Sequence, residues 1–439
     1  MKAVVSLFNR IMQRYLPDPF LFVVILTFAV FGLGLIFTDN GPYQMVQFWG
    51  GGFWGLLTFS MQMVLVLVTG HVLASSRLFK KGLGSLAGLA KSPGQAIILV
   101  TVISMLASLI NWGFGLVIGA LFAKELAKKV KNVDYRLLIA SAYTGFIVWH
   151  GGISGSIPLT IATAGHFSED LIGIIPTSET IFAFFNIAII LGIFVIMPIV
   201  NRMMMPSRED TVAVDPALLE EDLPAAAIEQ AALTPADRLE NSKILSMLIG
   251  IFGLVFLFYY FATNGFKLNL DIVNFLFLFL GILFHGTPKQ FLNATVNAVK
   301  GASGIIIQFP FYAGIMGMMT TSGLAAVMSE AFASISNDFT FPFFAFLSAG
   351  LVNFFVPSGG GQWAVQAPVM LEAAQTLGVS IPKTAMAVAW GDAWTNLIQP
   401  FWALPALAIA GLKAKDIMGY CVFALFVSGI IISLGMLFL

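Results

Sequence analysis

Charge is scarce in this chain: Lys, Arg, Asp and Glu make up 10% of its 439 residues, against about a quarter in a soluble globular protein. A water-exposed surface cannot be built from so few charges, which excludes a cytosolic enzyme. There is no surplus of base either, 22 Lys+Arg against 22 Asp+Glu, so nothing points to nucleic acid. The one cysteine, Cys421, excludes an intrachain disulfide and a cysteine metal cage. The four histidines are dispersed, with no HExxH pattern, so no metal site and no cofactor is expected beyond a transported H⁺ or Na⁺. What the chain has in abundance is apolar sequence: 58% of residues and a mean hydropathy of +0.92. Continuous apolar runs of about 20 residues read as membrane-spanning helices, whereas barrel strands would alternate. The expected class is an all-α polytopic membrane protein.

The runs fall at 20–37, 53–74, 95–122, 137–163, 179–200, 244–262, 270–285, 302–319, 340–374, 384–412 and 416–438. Residues 203–243 differ abruptly, with nine acids against three bases, and read as a solvated cytoplasmic linker. Lysine and arginine set the orientation. If 95–122 and 340–374 dip in and return to the side they left, 20 of the 22 Lys+Arg lie inside and only Lys267 and Lys383 outside. Both segments are too short for two crossings of about 20 residues each. Both also carry a polar break, Asn111-Trp-Gly-Phe-Gly115 and Asn353 through Gln362. They are read as re-entrant hairpins. The N-terminus is then cytoplasmic and the C-terminus periplasmic.

The halves match in order, with residues recurring at an offset near 246: Gln62 and Gln308, Ser75-Ser76 and Thr321-Ser322, Pro158 and Pro405. Residues 1–202 form a first repeat and 263–439 a second. Each has four spans and a hairpin, and the extra helix at 244–262 inverts the second. Inverted repeats with broken helices at the midplane are the architecture of secondary transporters.

Four interruptions should converge: the two hairpin tips and the breaks in the long spans 137–163 and 384–412. Opened helix N-termini present N–H groups and a partial positive charge that bind a carboxylate, and glycine lets backbone approach the ligand. The substrate-binding set is therefore Asn111, Trp112 and Gly113 at the first tip, Ser154 and Ser156 at the first break, Asn353, Ser358, Gly359, Gly360, Gly361 and Gln362 at the second tip, and Trp394, Thr395 and Asn396 at the second break. The run 357–362 is the best anion cradle, and Trp112, Phe354, Phe355, Trp363 and Trp394 flank the tips beside an apolar tail. Neither hairpin nor broken span carries Lys or Arg. A polyanion would call for arginine forks, so a single carboxylate fits better. Asp392, the one acid inside a broken span, and His150, beside the other break, are the ion-coupling candidates. No paired-carboxylate, metal or Ser–His arrangement marks an enzyme.

Leu16-Pro-Asp-Pro-Phe20, Trp49-Gly-Gly-Gly-Phe-Trp54, Val68-Thr-Gly-His71, Asn111-Trp-Gly-Phe-Gly-Leu116, Gln308 through Gly314, Val356-Pro-Ser-Gly-Gly-Gly361 and Gln399 through Gly411 resemble segments of the bacterial short-chain fatty acid transporters, along nearly the whole chain except the linker. The resemblance implies inverted repeats, paired hairpins, a homodimeric scaffold, and import of acetate-to-butyrate-sized monocarboxylates, acetoacetate included, across the inner membrane. Symport with H⁺ or Na⁺ and an elevator-like movement of the hairpin unit follow as expectations. The alternative is a carrier of another organic anion, a C4-dicarboxylate or an amino acid. The family pattern has glycine where His150 stands and an acid of either length where Asp392 stands.

Overall fold

The structure, a computed structural model, describes residues 19–219, 234–353, 356 and 358–439. Lys2, Arg10 and Arg14, the start of the Leu16–Phe20 motif, and Phe354, Phe355 and Pro357 of the second tip lie outside the described residues. Within them the chain is helical, with no strand. The first half runs α1 (Pro19–Phe37), α2 (Pro42–Gly52), α3 (Leu57–Ala74), α4 (Arg77–Ala87), α5 (Pro93–Ile110), α6 (Trp112–Lys129) and α7 (Tyr135–Thr144). A 3₁₀ stretch (Gly145–Gly151), α8 (Ser156–Ile161), α9 (Glu169–Ile172) and α10 (Phe184–Met203) complete it. After α11 (Pro235–Glu240) come α12 (Lys243–Asn264), α13 (Leu270–His285), α14 (Pro288–Val299), α15 (Ser303–Thr321) and α16 (Leu324–Ser334). The chain ends with α17 (Phe341–Val352), α18 (Gly359–Leu377), α19 (Ile381–Asn396), α20 (Pro400–Ala410) and α21 (Ala414–Phe438).

Each apolar run becomes helix, and both polar breaks interrupt one. Seven helical stretches among the described residues are long and apolar enough to cross a bilayer: 57–74, 93–110, 135–161, 184–203, 243–264, 288–321 and 414–438. Large apolar side chains stand exposed along them, Phe252 and Phe258 of α12 and Phe426 and Ile430 of α21 among them, as expected of faces solvated by lipid. The short helices α2, α4 and α16 escape a search for spans because 11 residues cannot cross, while α14 joins α15 through a 3₁₀ turn at 300–302 within the stretch 288–321.

Two residues open the helices that follow the polar breaks. Asn111 ends α5 and begins α6, its extended backbone reversing the chain while its Oδ1 accepts from Phe114 N at 2.9 Å. Ser358 opens α18 with its Oγ accepting from Gly361 N at 3.4 Å. Each hydroxyl or amide oxygen satisfies one of the N–H groups that a helix start leaves without an intrahelical partner.

The two halves interlock. α1 and α2 of the first pack on α15 of the second, while α13 and α14 of the second pack on α3 of the first. Within halves, α3 lies on α6 and α15 on α18, and α4 and α16 cover the same two hairpin arms. α5 packs against the 3₁₀ stretch and α7, as α17 packs against α19. The charged stretch after α10 is anchored at its start: Asp134 caps α7 through Oδ1 (Leu137 N, 2.8 Å) while Oδ2 accepts from Val212 N at 2.8 Å. Tyr135 N returns a bond to Val212 O at 2.9 Å. Farther on, the Thr234 hydroxyl and N–H hold the exposed Asp237 carboxyl below the usual carboxylate range.

Candidate substrate site

The first tip and the first break complete each other. Where α5 ends, Leu109 O accepts from Ile153 N at 2.8 Å; where α6 begins, Trp112 N donates to Ser154 Oγ at 2.9 Å. Two backbone groups that a broken helix would otherwise leave unpaired in a hydrocarbon slab, at several kcal/mol each, are thereby satisfied. The fit depends on Gly152, where a Cβ would lie 2.3 Å from Leu109 O. The buried Asn111 also donates from Nδ2 to Val66 O at 3.3 Å, which ties the tip to α3.

The second tip and break are joined by amides. Asn353 Nδ2 lies 2.9 Å from each of Asp392 O, Thr395 Oγ1 and Asn396 Oδ1, and Gln399 Nε2 donates to Asn353 O at 2.8 Å. Gln362 Nε2 donates to Ala349 O at 2.8 Å. All six polar residues are buried. Tyr143 of α7 spans the halves, its hydroxyl donating to Asn396 O at 2.6 Å, while Tyr135 OH donates to Ala410 O at 3.0 Å. Tyrosines of one broken span thus satisfy carbonyls at the ends of both segments of the other.

His150 and Asp392 meet at the centre. Both side chains are fully buried, with Nδ1 3.3 Å from Oδ2. His150 Nδ1 is also 2.8 Å from Ala389 O, an acceptor only, so Nδ1 carries a hydrogen. Ile157 N donates to Nε2 at 3.5 Å, which assigns the ring as the neutral Nδ1–H tautomer. Trp149 stacks on the imidazole with ring centroids 3.7 Å apart. Asn396 Nδ2 donates to Asp392 Oδ2 at 3.3 Å, and Oδ1 has no partner among the described residues.

A continuous line of contact now joins the expected residues. Asn111 adjoins Trp112, whose ring lies 5.9 Å from Trp149; Trp149 stacks on His150, and His150 reaches both Asp392 and Gly359. The cradle at 358–361 is closed over by rings: a Cβ on Gly359 would lie 2.4 Å from His150 Cε1, on Gly360 2.6 Å from Phe59 Cζ, and on Gly361 2.6 Å from Tyr312 Cδ2. Phe59 also lines a cavity of about 220 Å³ with Gln62, Thr160, Thr163, His166 and Phe167, so one phenyl ring separates that cavity from Gly360. Gly113 packs on Leu67 backbone. Ser156 is buried at the start of α8, where its carbonyl accepts from Thr160 Oγ1 at 2.6 Å. Trp394 lies between α17 and α21, its ring against Phe346 and Gly350 and its Nε1 donating to Leu425 O at 2.7 Å.

Residue patterns did not single out Asn186, Phe59 or Tyr143. Asn186 donates to Gly151 O at 3.0 Å and to Ile181 O at 2.7 Å, and accepts from Trp390 Nε1 at 3.0 Å. A buried amide alone in an apolar span was the available signal. Asn186→Leu would strand three buried polar groups at about 1–3 kcal/mol each. A clear drop in melting temperature of the purified protein is expected; an unchanged one would show that these bonds contribute nothing net.

The fold and its interlocked breaks are those of a polytopic helical membrane protein. It is shared with the YdaH transporter of Alcanivorax borkumensis, described as having an unusual topology (TM-score 0.60, 16% identity, 95% of this chain and 98% of that one). MtrF of Neisseria gonorrhoeae, presented with a class of antimetabolite efflux pumps, is a more distant match (TM-score 0.51, 15% identity, 98% and 97% coverage). The chain belongs to the short chain fatty acid transporter family, whose sequence model matches residues 1–439. Relatives named for short-chain fatty acid transport are 48% identical over 428 residues in Escherichia coli K12 (98% of this chain, 97% of the relative) and 45% identical over 434 residues in Haemophilus influenzae (97% of each). The family is one of transporters, not enzymes, and the protein is integral to a membrane.

Proposed function

We propose that the protein is a secondary active transporter that imports short monocarboxylates, from acetate to butyrate in size, across the inner membrane. The observation that carries this reading is the burial of both tips and both breaks against one another around a single carboxylate, with no Lys or Arg between 137 and 163 or between 384 and 412. A site of backbone N–H groups, amides and rings suits one carboxylate with a short apolar tail. The cavity behind Phe59 is the approach: a carboxylate reaching the N–H groups at the start of α18 displaces the tip of that ring.

The recurrent order of elements and the exchanged packing of α1 and α13 support two inverted repeats, 1–202 and 263–439, with 203–243 and 244–262 between them. In this reading α5–α8 and α17–α20 move as a unit past the scaffold of α1–α3 and α12–α15, which also forms the homodimer surface. The N-terminus is cytoplasmic, the C-terminus periplasmic and the hairpins re-entrant. Coupling runs through Asp392. The neutral imidazole and the adjoining carboxylate make a proton site, and Asn353 Oδ1, Asp392 Oδ1 and Gln399 Oε1, which have no hydrogen-bond partner among the described residues, are the hard donors a Na⁺ ion would take.

Uptake of radiolabelled butyrate into proteoliposomes, driven separately by a pH gradient and by a Na⁺ gradient, tests the reading and names the ion. Butyrate transport by one gradient is the expected result. Indifference to both, or competition by a C4-dicarboxylate or an amino acid but not by butyrate, would reassign the substrate. Asn111→Ala and Ser358→Ala each remove a helix cap, at about 1 kcal/mol, so both variants should fold yet lose most uptake; full transport by the pair would move the site elsewhere.

A further inference from the structure

A second cavity, of about 270 Å³, lies at the far end of the scaffold from the cleft behind Phe59. It is lined by Ser75, Arg77, Lys80, His285, Gln290 and Asn293, with Phe284 beneath. Its polar lining carries two permanent cations and two amides, and no carboxylate. Neither Arg77 nor Lys80 has an ion-pair or hydrogen-bond partner among the described residues, and His285 is held in place by its Nε2 donating to Val72 O at 2.7 Å. A cation pair in water needs no partner, yet these two converge on one pocket with no carboxylate to offset them, an arrangement that an anion would stabilise.

Two helix starts converge on the same pocket. Arg77 is the first residue of α4, whose N-cap Ser76 has a fully buried hydroxyl with no hydrogen-bond partner among the described residues. Gln290 is the third residue of α14, which opens at Thr287 and Pro288. α4, of 11 residues, has no side-chain cap and presents free N–H groups with a partial positive charge, whereas α14 begins at Pro288, which has no N–H, and its Gln290 N donates to Thr287 Oγ1 at 3.3 Å, so that helix contributes its Gln290 side chain. An anion is what this combination holds, and the guanidinium fork and amides match tetrahedral phosphate oxygens.

The flanking surface states where the phosphate comes from. α4 pairs Lys80 and Lys81 with the exposed Leu78 and Leu86, and α14 exposes Leu292 and Val296 beside its polar face. Such short amphipathic helices with lysines lie in the headgroup layer of a bilayer. They belong to the end of the bundle where most of the Lys and Arg are found, the leaflet richest in anionic lipid. We propose that this pocket binds a phosphate group, supplied in the membrane by the headgroup of an anionic phospholipid whose chains lie along α4 and α14. The inference is independent of the transport reading, since it uses none of the residues at the tips and breaks.

The test is binding of phosphatidylglycerol to the purified full-length protein in detergent, followed by native mass spectrometry and by thermal shift, with phosphatidylcholine as the uncharged reference and inorganic phosphate as the competitor. Wild-type protein should retain and be stabilised by phosphatidylglycerol and not by phosphatidylcholine. Arg77→Gln and Lys80→Gln should each weaken binding about fivefold, with Arg77→Lys retaining most of it and Lys267→Gln, at the opposite end, changing nothing. If inorganic phosphate gives the same stabilisation and phosphatidylglycerol adds none, the pocket is a soluble-phosphate site. Equal binding of both lipids, or equal phosphatidylglycerol binding by wild type and the Arg77→Gln/Lys80→Gln double variant, would overturn the proposal. Should the double variant fail to fold, Gln290→Ala, which keeps both charges and removes an amide, is expected to weaken binding on its own, and no effect there would count against the site.

Discussion

Asp392→Asn is expected to reduce butyrate uptake to the level of empty vesicles while leaving the protein folded. The carboxylate is fully buried, lies 3.3 Å from His150 Nδ1, accepts from Asn396 Nδ2 at 3.3 Å, and presents Oδ1 to no described partner. Asparagine has the same shape and can offer its carbonyl oxygen to the same Asn396 donor, so the cost in stability should stay within about 1–2 kcal/mol. What it cannot do is take up and release an ion at this point. A carboxylate at such depth costs about 2.5–3.5 kcal/mol on insertion scales, and that cost is offset only if the charge is used. Asp392→Glu keeps the charge on a longer stem and should retain part of the uptake. The measurement is gradient-driven uptake normalised to folded protein in the vesicles. Transport by the asparagine variant above half of the wild-type rate would reduce Asp392 to a packing role.

Gly359→Ala should be nearly as damaging, by a different route. Its Cβ would lie 2.4 Å from His150 Cε1, 2.7 Å from Nε2 and 2.9 Å from Trp149 Cη2. Neither ring can withdraw, because each is stacked on the other and the imidazole is held by Ala389 O and Asp392. The start of α18 must shift instead, at about 1–3 kcal/mol for an overpacked position, and the tip would separate from His150 and Asp392. The neighbouring change is the control. Gly360→Ala meets only the far end of Phe59 at 2.6 Å, a ring with an open cavity beside it. Gly359→Ala should therefore lower the melting temperature and abolish uptake, whereas Gly360→Ala should leave the melting temperature within a degree or two of wild type. Equal effects of the two substitutions would mean that the contact with His150 is not what the glycine protects.

Much of the architecture was legible from residue order because its causes are local. A run of apolar residues must be helical in hydrocarbon whatever surrounds it, and Asn111, Ser358 and the glycines near them mark helix ends by their own chemistry. The short helix α4 was passed over because a search for spans discards 11 residues, and α14 because it lies outside the apolar run at 302–319. The basic pocket they frame went unseen with them. Trp394 is a site candidate by its position in the second break; its ring lies between α17 and α21, against Phe346 and Gly350 with Nε1 bonded to Leu425 O, a placement that no local pattern shows.

The sequence alone determined that this is a helical membrane protein with polar breaks inside its apolar runs and one carboxylate inside a broken span. The periodicity and composition of about 20 residues at a time are enough for that. Only the tertiary structure decided that His150 and Asp392 are a pair, that Tyr143 holds the second break, that Asn186 clamps Gly151 to Trp390, and that Phe59 stands over Gly360. Each of these joins segments far apart in the chain, His150 and Asp392 by more than half its length. No local pattern encodes such a contact. It exists because every buried backbone and side-chain polar group in the bundle must find a partner, and the partners within reach are supplied by the other half.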